Sequence, residues 1–440
     1  MNHFLRYLLL LFICSNAFSQ NIWEFPSRKN KIIIPFQLLN NSIILQPKVN
    51  NVPLNLILDT GSAYNILFAF PQKDSIAFYN TSKIKITGPG MEEPIDAYIS
   101  KENKIEFKNI ASKKLDVILL LEDEYNFTKS IEIPVHGILG ADFFMDNKVE
   151  IQYDAKRIIV YKKETNRYNK RLRNFKRLPF VIKEKKPYIP VTITIDEQKT
   201  KDLELLVDTG LSDGLWVFEK ELDIKNKKSI TDYFGAGIGG NVYGKRVRFK
   251  TISFSDFQFK DPIVSVPDTI SFLKKNILNE RGGSIGGEVL KRFNILLDYK
   301  NQTMYLNENN NYNDKFYYNI AGFDVKHSGI DIIDEKISDR NTSSPKKTIN
   351  LADIPSNNIS FKYIVKPGIE ISYIRKNSLA DKAGLKEKDK IVSINGKKAY
   401  EFKLKEIIEI LHKNTDEDII VEVERNGKKI IFTLFLKQEI

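Results

Sequence analysis

Along most of the chain the apolar residues come in short runs of Ile, Val, Phe and Tyr, broken every few positions by Asn, Gly or a charged side chain. β-Branched and aromatic residues suit a pleated, half-buried surface and the interrupting residues favour turns, so the pattern predicts a mostly β protein. Two of the runs, Leu56-Ile57-Leu58 and Leu205-Leu206-Val207, each end in the same polar triplet. Helical spacing is clear in one place, where Leu404, Ile407, Ile408 and Leu411 share a face ahead of strands expected over Ile419 to Val423 and Ile430 to Leu436. At the start, Arg6, an apolar core from Leu8 to Ile13 and the small-x-small site Ala17-Phe18-Ser19 read as an export signal covering residues 1–19. No later apolar run approaches the roughly 18 residues a membrane helix needs, so the mature chain is expected to be soluble, periplasmic or secreted.

The repeated triplet is Asp59-Thr60-Gly61 and Asp208-Thr209-Gly210. One copy alone reads as a strand ending in an ordinary turn. Here the surroundings repeat as well. Ile34-Pro35-Phe36 answers to Ile189-Pro190-Val191, and His136 through Phe144, containing Gly137-Ile138-Leu139-Gly140, aligns with Gly282 through Leu290, containing Gly283-Ser284-Ile285-Gly286. Continuing without a gap, Val149 matches Ile295, Tyr153 matches Tyr299 and Ile158 matches Met304. The interval from Asp59 to Gly140 is 81 residues and from Asp208 to Gly286 is 78, so two copies of one β-rich unit are expected, too long to be solenoid repeats. Paired carboxylates at such turns suit hydrolysis: one acts as general base on a water while its protonated partner hydrogen-bonds the carbonyl under attack. Two carboxyls so close share one proton.

With these residues the chain resembles the aspartic proteases, the pepsin and retropepsin superfamily, and in particular the bacterial type with two lobes in one polypeptide. The resemblance covers residues 30 to about 308. It implies a cleft with Asp59 and Asp208 as the catalytic dyad, Thr60 and Thr209 bonded across the lobe junction, and Gly61 and Gly210 allowing close backbone approach. After the glycine the family has Ser, Thr or Ala. Ser62 conforms and Leu211 does not; a hydroxyl there is expected to bond the outer carboxylate oxygen, so the second half-site is expected to hold its Asp less firmly. Each lobe should add a flap hairpin over the cleft, with Gly88 and Gly90 marking the first and Gly235, Gly237, Gly239 and Gly240 the second. A plain flexible hairpin is the other reading of both clusters.

Composition narrows the alternatives. The chain of 440 residues is 42% hydrophobic, enough for two lobes and one further domain. Its single cysteine, Cys14, lies in the export segment, so the mature protein has no disulfide, thiol nucleophile or zinc-thiolate site. His136, His327 and His412 remain after processing, and no Gly-x-Ser-x-Gly elbow, His-Glu-x-x-His helix or calcium loop accompanies them. His136 is therefore expected to pack beside the catalytic loop, and neither metal nor cofactor is implied. Net charge is +12, and +11 once Arg6, the sole charged side chain of the export segment, is removed. Much of it lies between Lys156 and Lys186, read as a basic connector over 166–186, with binding to anionic lipid or polysaccharide as the functional alternative. No nucleic-acid module goes with it.

The last part, 313–440, differs in character. Lys376-Asn377-Ser378-Leu379-Ala380-Asp381-Lys382-Ala383-Gly384-Leu385, then Lys388-Asp389-Lys390-Ile391-Val392-Ser393-Ile394-Asn395-Gly396, resembles the core of a PDZ domain, with Leu379 for the usual Pro and Lys388 for the usual Gly. The resemblance implies a peptide terminus added as a strand beside the helix, its carboxylate held by a Gly-containing loop. Ser328-Gly329-Ile330-Asp331 is the expected loop and Gly368-Ile369-Glu370 the competing one; Ile407 and Leu411 are expected to line the groove, with core packing as their other reading. Residues 338–358 then form an inserted loop. The whole predicts lobe 1 over 30–165, lobe 2 over 187–310 and a PDZ domain over 313–440. Its expected activity is that of an exported aspartic endopeptidase acting as a monomer on peptide or protein substrates, with a catalytically silent peptide-binding protein as the alternative.

Overall fold

A computed structural model describes residues 23–26, 28–68, 70, 75–86, 94–121, 133–197, 199–237, 240–268, 282–336, 361–413 and 415–440. They form two compact units, the first from the described parts of 1–128, 134–227 and 234–315, the second from those of 129–133, 228–233 and 316–440. Among the described residues no helix is long and apolar enough to cross a membrane.

The first unit holds two lobes of like design. In lobe 1 the strand Leu56–Leu58 lies parallel to Gly137–Leu139, which runs antiparallel to Asn65–Leu67, itself parallel to Ile110–Leu119. In lobe 2 Thr200–Val207, Gly283–Ile285, Leu215–Val217 and Ile263–Pro267 repeat that order and those directions. A six-stranded sheet joins the lobes in the order Lys176–Pro179, Thr303–Glu308, Phe293–Asp298, Lys148–Gln152, Arg157–Tyr161 and Lys31–Pro35. At its centre each repeat pairs with its own copy: Val149 faces Leu297 and Ile151 faces Ile295, as a two-fold axis between the repeats requires.

This sheet corrects one expected equivalence. Pro35 and Pro179 end the two outermost strands, and each is followed by Phe and a hairpin, so Pro35-Phe36 corresponds to Pro179-Phe180. Ile189-Pro190-Val191 instead lies within Lys186–Thr194, the second strand of that hairpin. The turns agree too: Asn40 and Asn41 have φ of 46° and 63°, Glu184 and Lys185 of 49° and 65°. Two consecutive left-handed residues are what a tight two-residue hairpin requires. Asn accepts that conformation readily, whereas Glu and Lys do not advertise it.

The basic stretch 166–186 is likewise more than a connector. Asn166–Leu172 is a helix whose N-cap, Thr165, accepts from Tyr168 N at 3.2 Å. Tyr168 is buried against Ile159, Tyr161 and Leu296, and Arg171 Nε donates to the fully buried Glu150 at 2.9 Å. Lys176–Pro179 and Val181–Lys183 then enter sheets. Tyr168 and Leu172, four apart, supply the apolar stripe that the surrounding charge obscures.

In the second unit the strands Phe323–Lys336, Phe361–Ile374, Lys390–Ile394, Glu417–Arg425 and Lys428–Leu436 follow one another across a sheet. The helix Leu379–Ala383 is capped by Ser378, whose Oγ accepts from Asp381 N at 3.2 Å, and closes on Gly384 at φ 90°. Lys388 stands at φ 68°, which explains why glycine is usual there. Asp389, beside it, is buried and takes a bidentate bond from Arg425, 2.6 Å on each oxygen. Residues 337–360, including the whole of the expected inserted loop, lie outside the described residues.

Candidate active site

Each triplet lies where an apolar strand ends in the core of its lobe. Leu58 and Val207 are fully buried, and the Asp amides continue the sheet, Asp59 N to Leu139 O at 3.0 Å and Asp208 N to Ile285 O at 2.9 Å. The threonines then turn to the opposite lobe. Thr60 N donates to Thr209 Oγ1 (3.0 Å) and Thr209 N to Thr60 Oγ1 (3.1 Å); Thr60 Oγ1 donates to Val207 O (2.6 Å) and Thr209 Oγ1 to Leu58 O (2.8 Å). Both side chains are buried. The two halves therefore meet within one chain, through a closed and symmetrical set of bonds.

That net places each carboxyl over the other triplet's glycine. A Cβ on Gly61 stands 2.7 Å from Asp208 Cγ, and one on Gly210 stands 2.5 Å from Asp59 Cγ, so only glycine fits. Gly140 and Gly286 have a similar role. A Cβ there meets carbonyl oxygens of the loops that follow the two triplets at 2.4 Å (Tyr64) and 2.3 Å (Asp213).

The carboxyl surroundings are less symmetrical. Asp59 Oδ1 accepts from Gly61 N at 2.6 Å, whereas Asp208 Oδ1 accepts from both Gly210 N (3.1 Å) and Leu211 N (3.0 Å). Asp59 is held well above the usual carboxylate range, first by burial and then by the charge and hydrogen bond of Asp208, with the Gly61 amide and Lys186 opposing. The residue after the glycine departs from expectation. Ser62 Oγ donates to Tyr64 O at 2.8 Å, so its hydroxyl closes its own loop, and it is the Leu211 amide that reaches a carboxylate.

Around the dyad, lobe 2 carries residues the sequence did not single out. Asp213 accepts from Trp216 Nε1 (2.9 Å), Arg246 Nη1 (3.0 Å) and Ser265 Oγ (2.8 Å), and Arg246 lies 4.8 Å over the ring of Phe234. Three donors from three strands fix the loop that follows Asp208; a carboxylate three residues after the triplet is too common a feature to have signalled this. His136 Nδ1 accepts from Asn55 N at 3.0 Å, and burial lowers its pKa, so it is a neutral packing residue. Among the described residues no group of three His, Cys, Asp or Glu is placed to hold a metal ion.

The segments expected to form flaps are described in part. In lobe 1 Thr81–Ile86 pairs with the start of Ile95–Phe107, and the tip between them, with Gly88 and Gly90, lies outside the described residues. In lobe 2 Ser229–Gly237 pairs with Gly240–Arg248; Gly239 lies outside the described residues, while Gly235 and Gly240 have φ of 112° and 111°. A side chain built at Gly237 meets nothing within 4 Å, so packing does not demand that glycine.

The expected peptide loop is corrected. Ser328, Gly329 and Ile330 lie within the edge strand Phe323–Lys336, where Ser328 faces Gly368 and Ile330 faces Pro367 around a bulge. Gly329, at φ 53°, serves that bulge, and the competing Gly368 segment lies directly opposite. The residues that lead into the edge strand are Asn319-Ile320-Ala321-Gly322, with Gly322 at φ 80° and Ile320 N bonded to Leu411 O at 3.1 Å. An apolar-x-Gly-apolar pattern, Ile320 to Phe323, was the available signal. Helix Leu404–Lys413 packs against the edge strand. Ile407 and Leu411 are 0% and 1% exposed, so they belong to the core; Ile408 and His412, four apart, are the partly exposed pair beside them.

Residues 370–425 match the family model described as a PDZ domain. Solved structures similar to the chain include an aspartic proteinase from Irpex lacteus, 12% identical, with TM-score 0.40 and covering 64% of this chain and 98% of that one. Basic 7S globulin from soybean is another, 6% identical, with TM-score 0.38 and covering 65% of this chain and 97% of that one. No curated protein matches the chain.

Proposed function

We propose that this protein is an exported aspartic endopeptidase whose PDZ domain docks substrates or partners through a peptide terminus. The observation that carries the reading is the reciprocal threonine net, which seats the carboxyls of Asp59 and Asp208 over each other's glycine with Asp59 strongly favouring its neutral form. The roles follow from the surroundings. Asp208, whose Oδ1 accepts two main-chain amides, is suited to the anion and acts as general base on a water between the carboxyls. Asp59, protonated, donates to the substrate carbonyl oxygen. Water attacks the carbonyl carbon to give a tetrahedral intermediate without a covalent enzyme adduct; a proton from the dyad then reaches the leaving nitrogen as the C–N bond breaks, and the shared proton is restored.

Leu211 would favour a silent peptide-binding protein if the missing hydroxyl left Asp208 unsupported. Its amide supplies a bond to that carboxylate, so the active reading is preferred. In the PDZ domain, a peptide strand would add to the edge strand Phe323–Lys336 beside helix Leu404–Lys413, with Ile408 and His412, rather than Ile407 and Leu411, accessible to it. Export rests on the features of residues 1–19. The test is incubation of purified mature protein with a diverse peptide library, with and without a pepstatin-type inhibitor. Inhibitor-sensitive cleavage supports the reading, and intact peptides across an acid to neutral pH series refute it.

A further inference from the structure

The basic stretch after lobe 1 is laid over one face of the six-stranded sheet. Strand residues alternate between faces, so Val149, Ile151, Ile295 and Leu297 point one way and Glu150 and Leu296 the other. Tyr299, two residues after Leu297, continues the first side, where burial and then the charge of Asp59 hold its hydroxyl above the usual tyrosine range. The dyad is therefore on that side. The helix Asn166–Leu172 lies on the second, since Tyr168 packs on Ile159 and Leu296 and Arg171 reaches Glu150.

Charge on this second face is one-sided. From Lys148 to Arg177 there are eleven Lys and Arg against three Asp and Glu. Two of those acids are already committed, Glu150 to Arg171 and Glu164 to Lys148. Among the described residues Lys162, Lys163, Arg167, Lys170 and Arg173 are exposed and make no ion pair. Arg167, Lys170 and Arg173 recur every third position, along one stripe of the helix and its cap. Beside them the edge strand Lys31–Pro35 turns Lys31, Ile33 and Pro35 outward on the same face, with Ile33 paired to Ile159 and 49% exposed.

We propose that this face docks the protein on a membrane surface rich in anionic phospholipid, with the dyad on the opposite side of the sheet. Cations without an acidic partner, held on a packed helix and not on a loose connector, attract the phosphate headgroups, each worth about fivefold in partitioning near such a surface. Ile33 offers an apolar side chain to the boundary between headgroups and acyl chains. An acidic polysaccharide would use the cations and leave Ile33 idle. Such docking needs only the first unit and is independent of peptide hydrolysis.

The experiment is sedimentation of the full-length protein with vesicles of phosphatidylcholine alone and of an equimolar mixture with phosphatidylglycerol. Docking predicts little binding to the neutral vesicles, and binding to the anionic ones at about 0.1 M salt that is lost toward about 1 M, as the Debye length falls from about 10 Å to about 3 Å. Combining Lys163→Gln, Arg167→Gln and Lys170→Gln should lower the partition coefficient about tenfold or more. Lys101→Gln, Lys108→Gln and Lys260→Gln together remove equal charge from exposed positions outside the sheet and should lower it less than about threefold. Ile33→Ser should lower it about threefold or more with the salt dependence unchanged. Thermal melting checks the fold of each variant; if the first triple variant melts early, Lys162→Gln with Lys163→Gln, off the helix, takes its place with an expected loss of about fivefold or more. Equal losses in the two triple variants would show that net charge and not this face carries the binding, and overturn the proposal, as would failure of the wild type to bind anionic vesicles. If Ile33→Ser binds like wild type while polygalacturonate is bound as tightly as the vesicles, the partner is a soluble polyanion and the membrane assignment falls.

Discussion

The two half-sites begin from one triplet and diverge at the residue that follows it. The threonines are equivalent to within a few tenths of an ångström, because each bonds across the two-fold to a main-chain carbonyl that the other lobe's strand cannot withhold. The carboxyls are not equivalent. Asp208 is served by two amides and Asp59 by one, and burial together with its neighbour's charge pushes the proton onto Asp59. Symmetry of scaffold and asymmetry of charge are compatible, since a shared proton needs two similar seats and must still rest on one of them.

The largest test of that comparison is removal of either carboxylate. Asp59→Asn and Asp208→Asn should each lower kcat/KM for a peptide by about 10²–10⁴-fold, the usual worth of a positioned acid or base. Thermal melting should show the fold retained. Substantial turnover in either variant would break the division of roles.

Next comes the shared scaffold. Thr60→Val and Thr209→Val each remove a buried hydroxyl that accepts one amide and donates to one carbonyl, leaving both without that partner, at about 1–3 kcal/mol per unsatisfied group. Equal losses in urea denaturation would sharpen the symmetry. A difference of several-fold between the two would show that one lobe carries the junction.

The third test reads the asymmetry through pH. The folded-state pKa of Asp59 is raised, so the stability it contributes is fully present below the ordinary carboxylate value near about pH 4 and is lost as pH rises through its folded value. Wild type should therefore lose stability from acid toward neutral pH relative to Asp59→Asn, which stays neutral throughout. Peptide hydrolysis should fall over the same window as Asp59 loses its proton. Parallel urea midpoints for the two proteins across that range would contradict the assignment of the proton to Asp59.

The smallest effects should come from the residue that looks most anomalous. Ser62→Ala removes a bond to Tyr64 O and none to a carboxylate, and Leu211→Ser keeps the amide that Asp208 uses. Both should leave kcat/KM within about threefold, as expected when no transition-state contact is touched. A loss above tenfold in Ser62→Ala would restore the hydroxyl to a role at the dyad.

What the sequence determined by itself was local or repeated: apolar runs that become strands, two Asp-Thr-Gly turns, the ungapped copy from His136 onward and the helix that begins at Leu404. These depend on propensity, spacing and turn chemistry, which neighbouring residues carry. What only the tertiary structure decided depended on which strands pair and in what register. Pro179-Phe180 replaced Ile189-Pro190-Val191 as the partner of Pro35-Phe36 because the six-stranded sheet, and no local feature, selects its edge strands. Ser328-Gly329-Ile330 became a bulge because the ladder to Gly368 and Pro367 absorbs it, and Ile407 and Leu411 turned inward because the sheet lies on that side of the helix. The helix within 166–186 likewise needed Leu296, from a distant strand, beside the nearer Ile159 to bury Tyr168. A one-residue change of register exchanges the two faces of a strand, and register is set by contacts far apart in the chain, so it is the property least visible in the residues themselves.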